Sequence, residues 1–336
     1  MICPNCGSSE TNLDKGYFSP NLYEGYSYLS TILKTKDDLL KFRDGQSECI
    51  CKNCGIVFLS PWLSISQRNE IFNKQKRVHN SGWVGLENSL MGSSRLKLQH
   101  VAYTLLNRAI AKLDQRGLVV TKYAEFNCPF SGPRLYTFSQ TYSFTARLTA
   151  LKNSVFKGNE TSFSSSIEKF FLRLNFFIFR ILIVLKYLRI SVNKSDEKVK
   201  IHNFLENSDL IVANSSCFWS GNCVRFNSTC TGLSNSLLFK EVVHVGAASK
   251  LYDLIFASNV LDHVDNPTSI VETLLGFSKA LVVQVHTKRS IGYQHLYALN
   301  SGFFNKLASR FEVINLGIIN SANGYSEQGF LLIKMK

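Results

Sequence analysis

From residue 208 onward, short apolar runs rich in β-branched residues alternate with stretches of helical spacing. The strand-like runs are Leu210–Ala213, Ser228–Leu233, Glu241–Val245, Asp253–Ala257 and Ala280–Val285. Thr268–Gly276, opening just after Pro267, and Gly302–Arg310 read as helices. Two last runs, Glu312–Ile319 and Phe330–Lys334, are joined by a polar stretch and read as a hairpin closing a sheet. Strands alternating with helices predict an α/β domain. Its sheet is expected to be mostly parallel, covered on both faces, with a C-terminal antiparallel hairpin. Ligands of such sheets bind at the carboxyl ends of the strands, where the strand order reverses.

The pattern before residue 205 is different. Residues 95–118 carry Leu96, Val101, Leu105, Ile110 and Leu113 at helical spacing. In the stretch 120–136, Pro129 and Pro133 flank Ser131-Gly132 and predict a turn. Glu125, Asn127 and Cys128 either reach a site from this loop or belong to a surface connection whose cysteine is merely buried. Residues 167–190 are apolar almost all round, and Ser165 and Glu168 have capping-box spacing at the start. Arg173, Arg180, Lys186 and Arg189 interrupt the run, leaving at most six uncharged residues in a row. A membrane span needs about 20. The segment reads instead as a helix packed inside the protein or docked on a membrane surface. Three regions result: 1–62, a mainly helical middle region 63–205, and an α/β region 206–336.

Composition and charge sharpen this picture. Hydrophobic residues make up 45% of the chain and charged ones 18%, which excludes a disordered protein and implies a large core. The net charge of +14 resides in the middle region, because residues 1–60 and 201–336 are close to neutral. Such a basic stretch suits an anionic small molecule such as a nucleotide-linked sugar, or a membrane surface, or it is simply a solvated face. No stacking motif or recognised module supports a nucleic-acid partner.

Five of the nine cysteines fall within residues 1–54. Cys3-Pro-Asn-Cys6-Gly7 and Cys51-Lys-Asn-Cys54-Gly55 are two copies of one pattern, the arrangement of a zinc ribbon. Four thiolates close a tetrahedral coordination sphere, so the expected Zn2+ is structural. Glycine after each second cysteine lets the backbone turn tightly, so that amides face the sulfurs. Cys49 is a spare that either competes for the metal or sits on the strand leading into the second knuckle. A sequence with cysteines used in this way and no signal-peptide pattern is expected in a reducing, cytoplasmic compartment.

Tyr252–Pro267 (YDLIFASNVLDHVDNP) resembles the fourth-strand motif of class I S-adenosylmethionine-dependent methyltransferases. Gln294–Ser301 (QHLYALNS), followed by a helix and Phe311-Glu-Val, resembles a later region of the same family. The paired knuckles, running into Gly55–Pro61 (GIVFLSP), resemble the zinc-binding N-terminus that many bacterial members carry. The resemblance implies S-adenosylmethionine as methyl donor, and as acceptor a nucleotide-linked sugar or another polysaccharide or natural-product intermediate. It places cofactor contacts at Ala213, Ser215, Cys217 and Trp219 after the first strand, at Ser234 after the second, and at Asn259 after the fourth. These positions depart from the family pattern. Ala213 stands for an acid, Ser215, Cys217 and Trp219 for glycines, and Ser234 for a second acid. His263, His295 and Tyr297 are the expected groups at the substrate rim, where one of them would take a proton from the acceptor or orient it. His286 and Lys288 lie at the same edge. Two functions are therefore expected: a methyltransferase, or an inactive relative of that fold acting as a binding or scaffold module.

Overall fold

A computed structural model describes residues 1–14, 47–60, 93–126, 132–134, 205, 208–212, 240–264, 266–287, 297–320 and 326–335. The expected strand at 228–233 and the Phe-rich segment 167–190 lie outside these residues. No helix among the described residues is long and apolar enough to cross a membrane.

The chain opens with three antiparallel strands, β1 (Thr11–Asp14), β2 (Ser47–Cys51) and β3 (Val57–Ser60). Helix α1 (Ser93–Asp114) precedes β4 (Tyr123–Phe126), β5 (Asp209–Val212), β6 (Val242–His244) and β7 (Tyr252–Ser258). A 3-10 turn, Leu261–His263, leads to α2 (Pro267–Gly276), β8 (Ser278–His286), β9 (Tyr297–Ala298) and α3 (Ser301–Leu307). The hairpin β10 (Phe311–Asn320) and β11 (Ser326–Lys334) ends the fold.

Local chemistry explains these boundaries. Asn266 caps α2 by accepting from the Ser269 amide at 2.9 Å, with Pro267 in the first helical position. Asn300 caps α3 in the same way through Gly302 and Phe303. Strand β7 is apolar along most of its length because it is buried on both faces.

Among the described residues, seven strands form one sheet in the order β10-β11-β8-β7-β4-β5-β6. The strands β8-β7-β4-β5-β6 are parallel, and the terminal hairpin adds antiparallel to β8 through β11. This is the α/β sheet the pattern implied. The strand order nevertheless corrects one expectation. Strand β4 is the one from which the chain departs in both directions: through β5 and β6 on one side, then back to β7 and β8 on the other. The order therefore reverses between β4 and β7.

The run expected as the first strand, 210–213, is β5, the second. Ala213, Ser215, Cys217 and Trp219 follow β5 in the sequence and lie outside the described residues. Helix α1 and β4 come from the stretch read as a middle region; β4 is a strand of the sheet and α1 packs on one of its faces.

Each face of the sheet has its own core. On one, Val101, Leu105, Ala109 and Leu113 of α1 pack over Leu254, Phe256, Val282 and Leu331. On the other, Ile270, Val271 and Leu274 of α2 and Phe303 and Phe304 of α3 cover Ala124, Ile255, Leu281 and Val283. The core of β2 and β3, with Cys49, Ile56, Val57 and Phe58, is continuous with this second face. Strand β9 adds to β3, pairing Tyr297 with Phe58, so the small four-stranded sheet is tied directly to the large domain.

Candidate functional site

Among the described residues two constellations carry chemistry, and the first is the cysteine quartet. The sulfurs of Cys3, Cys6, Cys51 and Cys54 all lie within 4.8 Å of one another. Cys3 is 3.6 Å from Cys54 and Cys6 is 3.5 Å from Cys51, sulfur to sulfur. These separations are far too long for disulfides. They match the spacing of about 3.8 Å that tetrahedral geometry sets for four thiolates at roughly 2.3 Å from a metal.

The two knuckles are built alike. The Gly7 amide donates to the Cys3 carbonyl and the Gly55 amide to the Cys51 carbonyl, each at 2.9 Å, and both glycines have φ of +72°. The Cys54 amide faces the Cys51 sulfur at 3.5 Å, and the Asn53 side chain faces that of Cys6 at 3.6 Å. The Cys3–Cys54 hydrogen bond splits the two thiols in acidity, pushing Cys3 up and Cys54 down to about 5. Cys49 stands apart, buried on β2 with its sulfur 3.3 Å from that of Met1. Of the two readings for Cys49, the strand position is the observed one.

The quartet sits against the large domain. Asn5, between the first two cysteines, donates to Thr268 Oγ1 at 2.9 Å and accepts from the Thr268 amide at 3.3 Å, at the start of α2. Gly55 packs on the start of α3, where a Cβ would come within 2.5 Å of the Gly302 backbone. Gly7 has the same φ but open space around it. Gly7→Ala should therefore cost only the left-handed strain, about 1–2 kcal/mol. Gly55→Ala should cost clearly more, because α3 must also shift. Denaturant unfolding of the two variants checks the difference.

The second constellation lies at the carboxyl edge of the sheet. Along β4, Tyr123 and Glu125 face α1 while Ala124 and Phe126 face the other core. Glu125 is fully buried in the centre of the sheet. Its Oε1 accepts from Tyr123 Oη at 3.2 Å and from the Arg134 amide at 2.6 Å, which folds residues 132–134 back over the strand. Gly132 lies so close that a Cβ there would land on the carboxylate.

At the end of neighbouring β7, Asn259 has a φ of +47°, and its amide donates to the Gln284 carbonyl at 3.0 Å. The Asn259 Oδ1 is buried and meets no hydrogen-bond partner among the described residues. A buried acceptor without a donor is costly unless something else supplies one.

A buried polar chain continues across the same edge. Ser258 Oγ donates to Gln284 Oε1 at 3.0 Å, and Gln284 Nε2 donates to Glu327 Oε2 at 3.3 Å. His286 Nδ1 lies 2.6 Å from Glu327 Oε1. Burial alone would lower the His286 pKa, but the Glu327 hydrogen bond and the charges of Glu327 and Asp262 outweigh it and hold it above its ordinary value.

The expected site residues fall in different places. The four metal ligands come together. Asn259 is at the reversal point of the sheet, and His263 closes the turn just beyond β7. Tyr297 is 2% exposed on β9, inside the core between β3 and α3. Ala213, Ser215, Cys217, Trp219, Ser234 and His295 lie outside the described residues. Sequence reasoning places His286 at this edge but missed its connection through Glu327 to Gln284. The available signal was the alternation of polar residues at the end of a buried strand, Gln284 and His286 two apart.

The chain matches no family model and no curated protein. Among solved structures it resembles the N-methyltransferase NodS from Bradyrhizobium japonicum WM9 in complex with S-adenosyl-L-homocysteine. That match has 11% identity, covers 76% of this chain and 99% of that one, and has a TM-score of 0.33. It also resembles the plantazolicin methyltransferase BpumL in complex with SAH, with 8% identity, coverage of 79% and 100%, and a TM-score of 0.33. A third similarity is to EvdMO1, with 11% identity, 68% of this chain and a TM-score of 0.29; the chain spans only 41% of that protein's length. The match to the N-terminal domain of EvdMO1 takes in 66% of that domain. At scores this low, the strand order and not the likeness defines the fold.

Proposed function

We propose that the chain is an S-adenosylmethionine-dependent methyltransferase whose cofactor crevice lies between β4 and β7, at Glu125, Gly132 and Asn259. The carrying observation is the reversal of strand order at β4/β7, the position where open α/β sheets take ligands. The residues there fit the cofactor chemically. A buried carboxylate and an unpartnered amide oxygen are acceptors suited to an ammonium group and ribose hydroxyls. Carried over to β4, the family's "acid–x–Gly–Cys" pattern meets Glu125-Phe126-Asn127-Cys128, which keeps the acid and the cysteine. When bound, the cofactor supplies an electrophilic methyl group; the chain's own part is to position an acceptor and to handle its proton.

The cysteine quartet is read as a structural Zn2+ site that holds β1–β3 against α2 and α3. The acceptor class remains that implied by the resemblance, a nucleotide-linked sugar or a related intermediate, with the basic middle region suited to its phosphates.

One observation favours the second reading, a binding module that no longer methylates. Asn127, Pro129 and Ser131 stand where the family pattern after the central strand has glycines. Calorimetric titration of zinc-loaded protein with S-adenosylhomocysteine separates the two. Micromolar binding is expected, and no heat at millimolar ligand would leave only the binding-module reading.

A further inference from the structure

We propose that His286 is the proton acceptor for the methyl-accepting substrate, with Glu327 as the positioning residue behind it. This rests on the cofactor crevice proposed above and adds the group that handles the acceptor's proton.

The argument is geometric. Gln284 is level with Ser258 in the β7–β8 register, and His286 lies opposite Glu327 in the β8–β11 register. Side chains two apart on a strand share a face, so Ser258, Gln284, His286 and Glu327 all stand on the face that Glu125 occupies on β4. With strands about 4.8 Å apart, β8 lies about 10 Å across the edge from β4. His286 is two residues beyond the level of Ser258, hence roughly 7 Å further out. It thus stands on the same face and the same carboxyl edge as a cofactor seated at β4/β7, one strand over from β7 and further out.

The supporting groups are graded in exposure. Glu327 is wholly buried, whereas the His286 side chain keeps 23% of its surface. Glu327 lies against Nδ1, so a further proton received by the ring would go to Nε2. Among the described residues, Glu327 from β11 and Asp262 from the turn after β7 act on the ring, and both favour the imidazolium. In the step, the acceptor's oxygen or nitrogen bonds to the methyl carbon and the carbon–sulfur electron pair stays on sulfur. The acceptor's proton passes to His286 Nε2, and later to solvent.

The test needs no acceptor. Histidine 13C–1H resonances of the full, zinc-loaded chain are titrated with pH alone, with S-adenosylhomocysteine and with S-adenosylmethionine; His286→Gln assigns the signal. The two ligands differ by one methyl group and one positive charge at sulfur. At roughly 10 Å that charge should lower the His286 pKa by about 0.3 to 1 unit relative to the homocysteine complex. Glu327→Gln should lower it in every state, while Glu327→Asp, which keeps the charge, should lower it less. Equal values in the two complexes, or no response to Glu327→Gln, would overturn the role of His286 and leave the crevice standing. If neither ligand binds, the crevice and this role fall together. Thermal unfolding of the Glu327 variants shows whether they fold, and the Asp variant carries the test if the Gln variant does not.

Discussion

Replacing Cys54 with serine is expected to abolish stoichiometric zinc and to lower the unfolding midpoint by about 10 °C. A hydroxyl is a poor substitute for a thiolate at a tetrahedral zinc, and three sulfurs hold the ion far more weakly. Structural zinc contributes about 10–16 kcal/mol to folding in small isolated fingers. Here part of that loss is recovered, because Cys3, Cys49, Cys51, Ile56, Val57 and Phe58 also pack into the core of the large domain. A net cost of about 3–5 kcal/mol gives the stated shift at 2–4 °C per kcal/mol. The damage should spread along three contacts: Asn5 to Thr268, Gly55 to Gly302, and β3 to β9. Cys49→Ser is the control, because its sulfur lies beside that of Met1 and outside the quartet. It should keep one zinc per chain and cost only about 1–3 kcal/mol for a buried hydroxyl. Metal analysis after dialysis against chelator, alongside thermal unfolding, reads both. Acidification should release the zinc in the unmodified protein, because protons compete for the thiolates.

Gly132→Ala is expected to weaken S-adenosylhomocysteine binding at least tenfold and to destabilise the fold by about 1–3 kcal/mol. The new methyl would meet the Glu125 carboxylate directly. A long side chain at the surface would swing aside. Glu125 cannot do so, because it is fully buried and held through Oε1 by Tyr123 and the Arg134 amide. Gly132 itself must move away instead, at the edge where the cofactor is proposed to bind. Adding Glu125→Asp withdraws the carboxylate by one methylene and should recover part of the lost stability. Calorimetry and denaturant unfolding of the single and double variants measure that coupling. Additive effects would show that the contact is not the cause.

Much of this architecture is legible in the sequence, and what escapes does so for physical reasons. Strands β7 and β8 are apolar runs bounded by polar residues, so both the runs and their parallel arrangement could be read directly. The cysteine quartet was legible because its chemistry is local: two knuckles, each closed by its own backbone hydrogen bonds. Strand β4 is four residues long, carries a glutamate, and leads into a stretch with two prolines. Its identity as the central strand depends on Tyr123 and the Arg134 amide satisfying that glutamate, a condition set by folding rather than by composition. Without β4, the sequence pattern makes β5 the first strand of the sheet, which the strand order shows to be the second. Tyr297 shows how tertiary pairing decides a placement that sequence position leaves open. Its position after β8 suggested the rim, but pairing with Phe58 draws it into the core. The His286–Glu327 pair joins residues 41 positions apart, linked only by the β8–β11 register.

Hydrogen–deuterium exchange of the zinc-loaded chain, with and without saturating S-adenosylhomocysteine, tests the location of the crevice most directly. Slowed exchange in the peptides covering 123–134 and 258–262 is the result this account predicts. Unchanged exchange in both, whatever happens elsewhere, would contradict it.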